Sequence, residues 1–185
     1  MNARLDRRNF MKASGGLVIG FSFLDPLGAL AQGATGDGSV APPDAARLDA
    51  WIAIHPDNTA TLFTGKVDTG TGIEVALAQI AAEELDFPVD RLSVVMGTTS
   101  KTVDQGPSYG SRTVRYAGPQ IRHAAAAGRQ VLMDLAATHF KLPAGQLSAK
   151  DGRAFVTGTP ARSISYGELV AGKQLDMTIG ASGKA

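Results

Sequence analysis

Two segments with helical periodicity constrain the fold of this chain more than any other feature. The first runs from Gly72 to about Asp86, and the second runs from about Pro119 to Phe140. In each segment the apolar residues recur at the spacing that places them on one face of a helix. The inner faces comprise Ile73, Leu77, Ile80, Ala81 and Leu85 in the first helix, and Ile121, Ala125, Gly128, Leu132, Leu135 and His139 in the second.

Short β-type runs precede and follow the first helix. Trp51 to Pro56 and Thr59 to Thr64 lie on either side of a turn signal and predict a hairpin. Arg91 to Met96 predicts a third strand, and a long polar loop from Gly97 to Tyr116 follows it. A loop of that length in a compact domain is usually functional or disordered.

The C-terminal third predicts a second hairpin and a short helix. Leu147 to Lys150 and Arg153 to Val156 flank Asp151-Gly152, a strong hairpin signal. Ser165 and Glu168 have the spacing of a capping box, so we expect a short helix to begin at Ser165. The fold class predicted from these elements is α+β: one domain over residues 48–175, with two long helices packed on short mixed or antiparallel strands.

Composition limits the classes of protein to which the chain can belong. With 185 residues, 44% hydrophobic and 19% charged, it has globular composition and room for one domain plus appendages. A net charge of +1 argues against a nucleic-acid-binding protein, which normally has a clear basic excess. The chain has no cysteine, which excludes disulfides, thiolate metal sites and iron–sulfur ligation within it.

We expect the small and polar residues 176–185 to form a flexible tail.

The N-terminal segment has the pattern of a bacterial twin-arginine export signal. The run Asp6 to Lys12 contains paired arginines, a modest apolar run from Ala13 to Leu24 follows, and Ala29-Leu30-Ala31 supplies a small-x-small cleavage site. A membrane anchor is the alternative, but the apolar run is about 12 residues long against the roughly 20 that span a bilayer. We expect residues 1–31 to be a signal peptide that directs the chain to the periplasm through the twin-arginine translocase, and 32–47 to be a flexible linker.

A glycine turn, Gly70-Thr71-Gly72, stands at the start of the first helix. Thr71 and Glu74 have capping-box spacing, so one interpretation is a well-capped helix after a turn. The other is an anion or cofactor site, because glycines let a ligand approach the main chain and the first-turn N–H groups of a helix favour negative charge. The turn alone leaves both interpretations open.

A second loop of similar character, Gln105 to Thr113, comes just before the second helix. Its small residues could expose main-chain N–H groups to a ligand. The hydroxyl groups of Ser111 and Thr113 could donate hydrogen bonds, and Arg112 could bind phosphate with two parallel hydrogen bonds. A solvated loop without a ligand is the alternative. No two of the three histidines have metal-ligand spacing on one element, so we predict neither a metal site nor a catalytic residue in this chain.

The two loops together resemble the molybdopterin-binding subunit of the xanthine dehydrogenase/aldehyde oxidase superfamily, in the branch of exported proteins like the β-subunits of isoquinoline 1-oxidoreductase. The matching motifs are VDTGTGIEVALAQIAAEEL, Val67 to Leu85, and DQGPSYGSRTVRYAGPQIR, Asp104 to Arg122. In that family both loops wrap the pterin dinucleotide. The resemblance implies a partial molybdopterin-binding domain at 48–175, whose cofactor-binding residues are Thr69, Gly70, Thr71, Gly72, Tyr109, Gly110, Ser111, Arg112 and Thr113.

The resemblance also implies partners and a reaction. Members of the family continue for several hundred residues beyond the matching part, and their catalytic glutamate lies there. We therefore expect the chain to share a molybdenum cofactor, molybdopterin cytosine dinucleotide, with the remaining part of a large subunit and to need a small [2Fe–2S] subunit. The implied reaction is hydroxylation of a small N-heterocycle or aldehyde with oxygen from water. The alternatives are an exported fragment or binding module that holds no cofactor, and a phosphate-binding enzyme acting alone.

Overall fold

The two helices that the apolar periodicity predicts are present and pack against each other. The computed structural model describes residues 42–171; the predicted signal peptide, residues 32–41 of the predicted linker and the predicted tail at 176–185 lie outside this range. Helix α1 spans Ile73–Leu85 and helix α2 spans Gly118–Phe140. The helices approach closely at Gly128, where an added Cβ would lie 3.6 Å from Leu85 Cδ2. Both predicted helices are therefore confirmed.

The first three strands form a mixed sheet. Strand β1, Ile52–Ile54, is antiparallel to β2, Ala60–Thr64, and β2 is parallel to β3, Leu92–Met96, with Thr64 opposite Met96. The parallel pairing follows from the connection, because α1 carries the chain from the end of β2 back to the start of β3. The predicted hairpin and third strand are confirmed.

The second sheet has three antiparallel strands. Strands β4, Leu147–Lys150, and β5, Arg153–Val156, form the hairpin predicted around Asp151-Gly152. Strand β6, Thr159–Ser165, pairs with β5 and was not predicted. Its first four residues are exposed and include Pro160, so the strand lacks the apolar alternation by which strands are recognised.

The short helix α3, Tyr166–Val170, begins as predicted, with Ser165 as its N-cap. The Ser165 Oγ accepts a hydrogen bond from the Glu168 N–H, and the Glu168 carboxylate accepts one from the Ser165 N–H, which completes the capping box. Tyr166 is fully buried and donates from its hydroxyl to the Leu85 carbonyl oxygen at 3.0 Å. The start of α3 therefore satisfies a carbonyl group at the end of α1.

The inner faces of the two long helices were predicted correctly except at one end. Leu77, Leu85 and Ile121 are fully buried, and they belong to one core that also includes side chains of the mixed sheet and of α3. His139 was expected on the inner face of α2, but it is exposed and packs edge-on against Phe140. The prediction for His139 was wrong: at this end of α2 the core is contacted by Ala137 and Phe140.

The long loop after β3 is shorter than predicted. The predicted loop ended at Tyr116, but Thr113–Ala117 form a π-helical turn that leads directly into α2.

Two arginines of α2 contact acids near the end of α1: Arg122 pairs with Glu84 and Arg129 with Asp86. Among residues 42–171, no helix has the length and apolar character needed to cross a membrane.

Candidate functional site

The two glycine-containing loops leave the same edge of the mixed sheet. Strands β2 and β3 are parallel neighbours, so their carboxyl ends, Thr64 and Met96, lie opposite each other. The glycine turn follows β2 and the loop 97–112 follows β3. In open sheets, ligands bind outside the carboxyl ends of parallel strands. The topology therefore brings together two segments that are about forty residues apart in the sequence.

Direct hydrogen bonds join the two segments. Gln105 Oε1 accepts from Thr64 Oγ1 at 2.6 Å and from the Gly65 N–H at 2.9 Å. Further along, the Val67 N–H donates to Ser108 Oγ at 3.0 Å. The backbones also approach closely, since a Cβ added at Gly65 would lie 2.0 Å from the Val103 carbonyl oxygen. Residues 64–67 and 103–108 thus form one connected unit.

Lys66 is the buried cation of this unit. Only 2% of the residue is exposed, and its Nζ donates to the carbonyl oxygens of Gly106 and Pro107, both at 3.0 Å. Burial and the nearby Arg112 guanidinium lower the pKa of the Lys66 amine, whereas the Asp104 carboxylate raises it. The ammonium group therefore holds the loop backbone through carbonyl groups.

The glycine turn is held by Asp68 and not by Thr71. The Asp68 carboxylate accepts hydrogen bonds from the N–H groups of Gly70, Thr71 and Glu74 at 2.8–3.3 Å. The N-cap residue of α1 is Gly72, in the left-handed region with φ 73°, and it has no side chain that could accept a hydrogen bond. The predicted capping box between Thr71 and Glu74 was therefore wrong. The hydrogen bond from the Thr71 N–H is the largest of the influences that lower the pKa of Asp68.

Most of the predicted cofactor-binding residues are exposed at this edge. A Cβ added at Gly70 or Gly72 would meet no atom within 4 Å, so their main chain is open to contact. Gly110 and Ser111 have φ values of 59° and 57°, and both are exposed. Thr113 differs, because it is only 9% exposed and belongs to the π-helical turn. The exposed residues are Thr69, Gly70, Thr71, Gly72, Tyr109, Gly110, Ser111 and Arg112.

Arg112 lies between two exposed tyrosines. Its guanidinium carbon is 4.6 Å from the ring centroid of Tyr116 and 5.5 Å from that of Tyr109, and Nη1 donates to the Tyr109 hydroxyl at 3.0 Å. Such stacking fixes the plane of a guanidinium group while leaving other N–H donors at its edge. Tyr109 and Tyr116 are 58% and 48% exposed, so the two rings and the guanidinium group lie together at the surface.

No metal-ligand set accompanies the two loops within residues 42–171. That range contains no group of three or more histidine, cysteine or acidic side chains able to hold a metal ion. An open cleft of about 480 Å³ lies instead near the C-terminal end of α1, where Glu83, Asp86, Lys150 and Asp151 contribute to its lining. It is at the opposite end of α1 from the glycine turn, and its acidic lining does not suit an anion.

Sequence reasoning missed four residues that build this site: Lys66, Asp68, Gln105 and Ser108. Asp68 could have been found, because aspartate two residues before glycine commonly accepts a main-chain hydrogen bond in a turn. Lys66 and Gln105 carry no such signal, since each looks like an ordinary polar residue at the end of a strand or in a loop. Their partners are about forty residues away, and only the parallel pairing of β2 and β3 brings them into contact.

Comparison with known proteins identifies the class to which this fold and these loops belong. The sequence model of the molybdopterin cofactor-binding domain matches residues 27–184. The chain belongs to this family, as a molybdopterin-binding subunit of the xanthine dehydrogenase type. The resemblance inferred from the two loop motifs is confirmed.

Named relatives refine the comparison. A nicotinate dehydrogenase subunit of Pseudomonas putida is 34% identical over 174 residues, which cover 94% of this chain and 14% of the relative. The β-subunit of isoquinoline 1-oxidoreductase of Brevundimonas diminuta is 31% identical over 181 residues, which cover 93% of this chain and 22% of the relative. The chain thus spans about a seventh to a fifth of the length of these proteins.

Solved structures of molybdenum enzymes have the same fold over the matching part. Quinoline 2-oxidoreductase from Pseudomonas putida 86 matches with a TM-score of 0.56 and 30% identity, over 65% of this chain and 15% of that chain. Carbon monoxide dehydrogenase from Oligotropha carboxidovorans matches with a TM-score of 0.58 and 30% identity, over 64% of this chain and 15% of that chain. The predicted α+β fold of a molybdopterin-binding domain is confirmed.

The residues at the loop edge fit a pterin dinucleotide. Such a ligand is anionic and rich in hydrogen-bonding heteroatoms, and it contains flat rings. The edge has open main chain at Gly70, Gly72 and Gly106, where an added Cβ would meet nothing within 4 Å. It also has the cationic side chains of Lys66 and Arg112, together with exposed aromatic rings. The donor set therefore suits the cofactor that the family binds.

Proposed function

We propose that this chain is the N-terminal molybdopterin-binding portion of an exported molybdenum hydroxylase. When bound, the cofactor supplies the oxidative hydroxylation of a small N-heterocycle or aldehyde, with oxygen derived from water. This chain contributes binding and orientation: open glycine backbone at 70–72 and a loop at 105–113 that carries donors and cations. The glutamate that acts as general base belongs to the remaining part of the large subunit.

The observation that carries the proposal is the physical link between the two family motifs. The segment before the glycine turn is bonded to the second loop through Gln105, Lys66 and Ser108. One ligand can therefore contact both loops, and its heteroatoms can satisfy main-chain donors that would otherwise be costly to cover. We propose that Gly70, Gly72, Gly110 and Ser111 line a single cleft for the cofactor.

The proposed partners follow from what the chain does not contain. Because the sequence has no cysteine, electrons leave through a small [2Fe–2S] subunit, and the remaining large-subunit polypeptide completes the site. The cofactor form proposed is molybdopterin cytosine dinucleotide. Export in a folded, cofactor-loaded state by the twin-arginine translocase to the periplasm is proposed from the paired arginines and apolar run of residues 1–31.

Metal and pterin analysis of the assembly tests this function. The chain is co-expressed with the remaining large-subunit polypeptide and the small subunit, and molybdenum and pterin are measured in the purified assembly. We expect Gly72→Val to abolish cofactor content, because a branched side chain would occupy the open approach to the main chain. Arg112→Ala should weaken cofactor retention about tenfold or more, as expected for the loss of a charge-assisted hydrogen bond.

Matched controls separate binding from folding. Gly158→Val shares the positive φ and open surroundings of Gly72, but it lies in the β5–β6 turn. Arg162→Ala removes an arginine that stacks on Phe140 in the way that Arg112 stacks on tyrosine. Both controls should retain cofactor. A wild-type assembly without molybdenum would favour the alternative of an exported binding module that holds no cofactor. Normal molybdenum content in both Gly72→Val and Arg112→Ala would instead overturn the assignment of the two loops to cofactor binding.

A further inference from the structure

The outer edge of the mixed sheet, at β3, has none of the features that keep an exposed strand from pairing. Among residues 42–171, β3 pairs with β2 on one side and no strand lies on its other side. Exposed edge strands usually avoid further pairing through proline, charged side chains or β-bulges. The five residues of β3, Leu92–Met96, include no proline and no charged residue, and all five stay in register with β2. The edge is therefore suited to accept one more strand.

Strand β6, at an edge of the second sheet, shows the contrast. Its exposed first half contains Pro160 and Arg162, and its pairing with β5 shifts register between Phe155 and Val156. Proline, a charged residue and an irregular register each disfavour pairing with another chain. Because β6 has all three features and β3 has none, the edge at β3 differs from one that is built to stay in solvent.

The hydrogen-bonding groups of β3 alternate between its two sides. The Gly97 N–H donates to the Thr64 carbonyl oxygen, so the main chain of Gly97 faces β2. Successive residues of a paired strand direct their main-chain groups to opposite sides, so Met96 and Val94 face outward. The Met96 carbonyl oxygen accepts a hydrogen bond from Thr98 Oγ1. The groups that a further strand can use are therefore the Met96 N–H and both main-chain groups of Val94.

Apolar side chains lie along the same edge. Val94 and Met96 pack against the main core but are only partly buried. Val89 and Val67, each 44% exposed, lie near the two ends of β3. Val89 comes just before the strand, and Val67 lies beside the residue that follows it, because a Cβ added at Gly97 would overlap Val67 Cγ1. A strand added beside β3 would remove part of this apolar surface from water, which favours the pairing.

We propose that the outer edge of β3 pairs with an extended segment of the remaining large-subunit polypeptide, which adds a fourth strand to the mixed sheet. The inference rests on the proposed function, which joins this chain to that polypeptide. The matching parts make up only 14% and 22% of the nicotinate dehydrogenase subunit and the isoquinoline 1-oxidoreductase β-subunit, so most of such a protein is available to supply the strand. Main-chain bonds to Val94 give affinity, and apolar residues at alternate positions of the added strand contact Val94 and Met96.

Hydrogen exchange of the wild-type chain tests the pairing at single amides. The isotope-labelled full chain is exchanged in deuterated water, alone and in the assembly with the remaining large-subunit polypeptide, and NMR reads the amides after quenching and dissociation. We expect the Val94 and Met96 N–H groups to exchange about tenfold more slowly, or slower still, in the assembly. The Val95 N–H faces β2 and is the internal control, slow in both samples. Equal exchange of Val94 in the two samples would overturn the inference.

A proline variant tests the same edge through association. Val94→Pro removes the outward N–H but no bond to β2, which is the position where an edge strand tolerates proline. Val94→Thr is the matched control, because its side chain has a similar shape and it keeps the N–H. We expect Val94→Pro to lower affinity for the remaining polypeptide about tenfold, measured by titration of the purified parts, and Val94→Thr to change it by less than about threefold.

Two further results would contradict the strand addition. One is equal affinity of the wild-type chain and a folded Val94→Pro variant. The other is a chain that dimerises by itself in sedimentation and already protects the Val94 N–H, since the edge would then belong to a second copy. If Val94→Pro does not fold, hydrogen exchange of the wild-type chain decides the question.

The outcome is separable from that of the proposed function. If the wild-type assembly contains molybdenum and pterin but Val94 exchanges as it does in the isolated chain, the cofactor-binding function stands and the strand addition is wrong. If the Val94 N–H becomes protected in an assembly that contains no cofactor, the strand addition stands and the proposed cofactor-binding function is wrong.

Discussion

Helices α1 and α3 begin with the same sequence pattern but start in different ways. In each, a hydroxyl residue is followed three positions later by glutamate: Thr71 and Glu74 in one, Ser165 and Glu168 in the other. At α3 the capping box forms, with both reciprocal hydrogen bonds. At α1 it does not form, because Asp68 takes the N–H groups of Thr71 and Glu74 and the chain enters the helix through Gly72 in the left-handed region.

The surroundings of the two helix starts differ as much as their caps. Ser165 is 6% exposed, and a Cβ added at Gly167 would lie 2.6 Å from the Pro56 carbonyl oxygen. Gly70 and Gly72 have nothing within 4 Å of an added Cβ. The start of α3 is closed by its own side chains and by the β1–β2 turn, so its glycine serves packing. The start of α1 leaves its glycine backbone open, which is what a binding turn requires.

The largest effect expected from this contrast is at Gly167. Gly167→Ala should destabilise the full chain by about 3 kcal/mol, because the added methyl group meets backbone atoms that cannot move without breaking the hydrogen bond from the Gly167 N–H to Asn58 Oδ1. Gly145→Ala is the control, with nothing within 4 Å and no positive φ, and should be nearly neutral. Urea unfolding of both variants gives the comparison. Similar midpoints would show that the start of α3 is not closely packed.

The next effect separates the two candidate caps. Ser165→Ala should destabilise the chain by about 1 kcal/mol, since it removes the acceptor for the Glu168 N–H. Thr71→Ala should change stability by less than about 0.5 kcal/mol, because the Thr71 side chain makes only a long contact with Asp68 at the exposed helix start. Thermal unfolding of the two variants under the same conditions measures the difference. Equal losses would mean that Thr71 caps α1 after all.

The smallest expected effect is on the pH dependence of stability, through Asp68 at the start of α1. Hydrogen bonds, first that from the Thr71 N–H, lower the pKa of Asp68 in the folded chain from its ordinary value of 3.8. The carboxylate therefore contributes stability above that pH, and the contribution is lost as pH falls below it. Asp68→Asn should make the unfolding temperature less dependent on pH below about pH 4. Identical profiles for Asp68→Asn and the wild-type chain would contradict the role of Asp68.

The local elements of this domain were predictable because their signals are local. Apolar spacing within α1 and α2, the Asp151-Gly152 turn and the Ser165 capping box all depend on residues a few positions apart. Strand β6 was missed, since an exposed edge strand with Pro160 has no apolar alternation. His139 was misplaced because at the end of α2 the core contact is made by Ala137 and Phe140, which local spacing did not indicate.

The sequence by itself determined the family of this protein and the two loops that carry its motifs. The tertiary structure alone decided how those loops meet, because parallel pairing of β2 with β3 sets Thr64 opposite Met96 and starts both loops at one edge. It also decided which side chains support them. The burial of Lys66 and the acceptor role of Gln105 arise from contacts between residues about forty positions apart, and hydrogen-bond partners at that distance follow from strand order and register, which local sequence patterns do not encode.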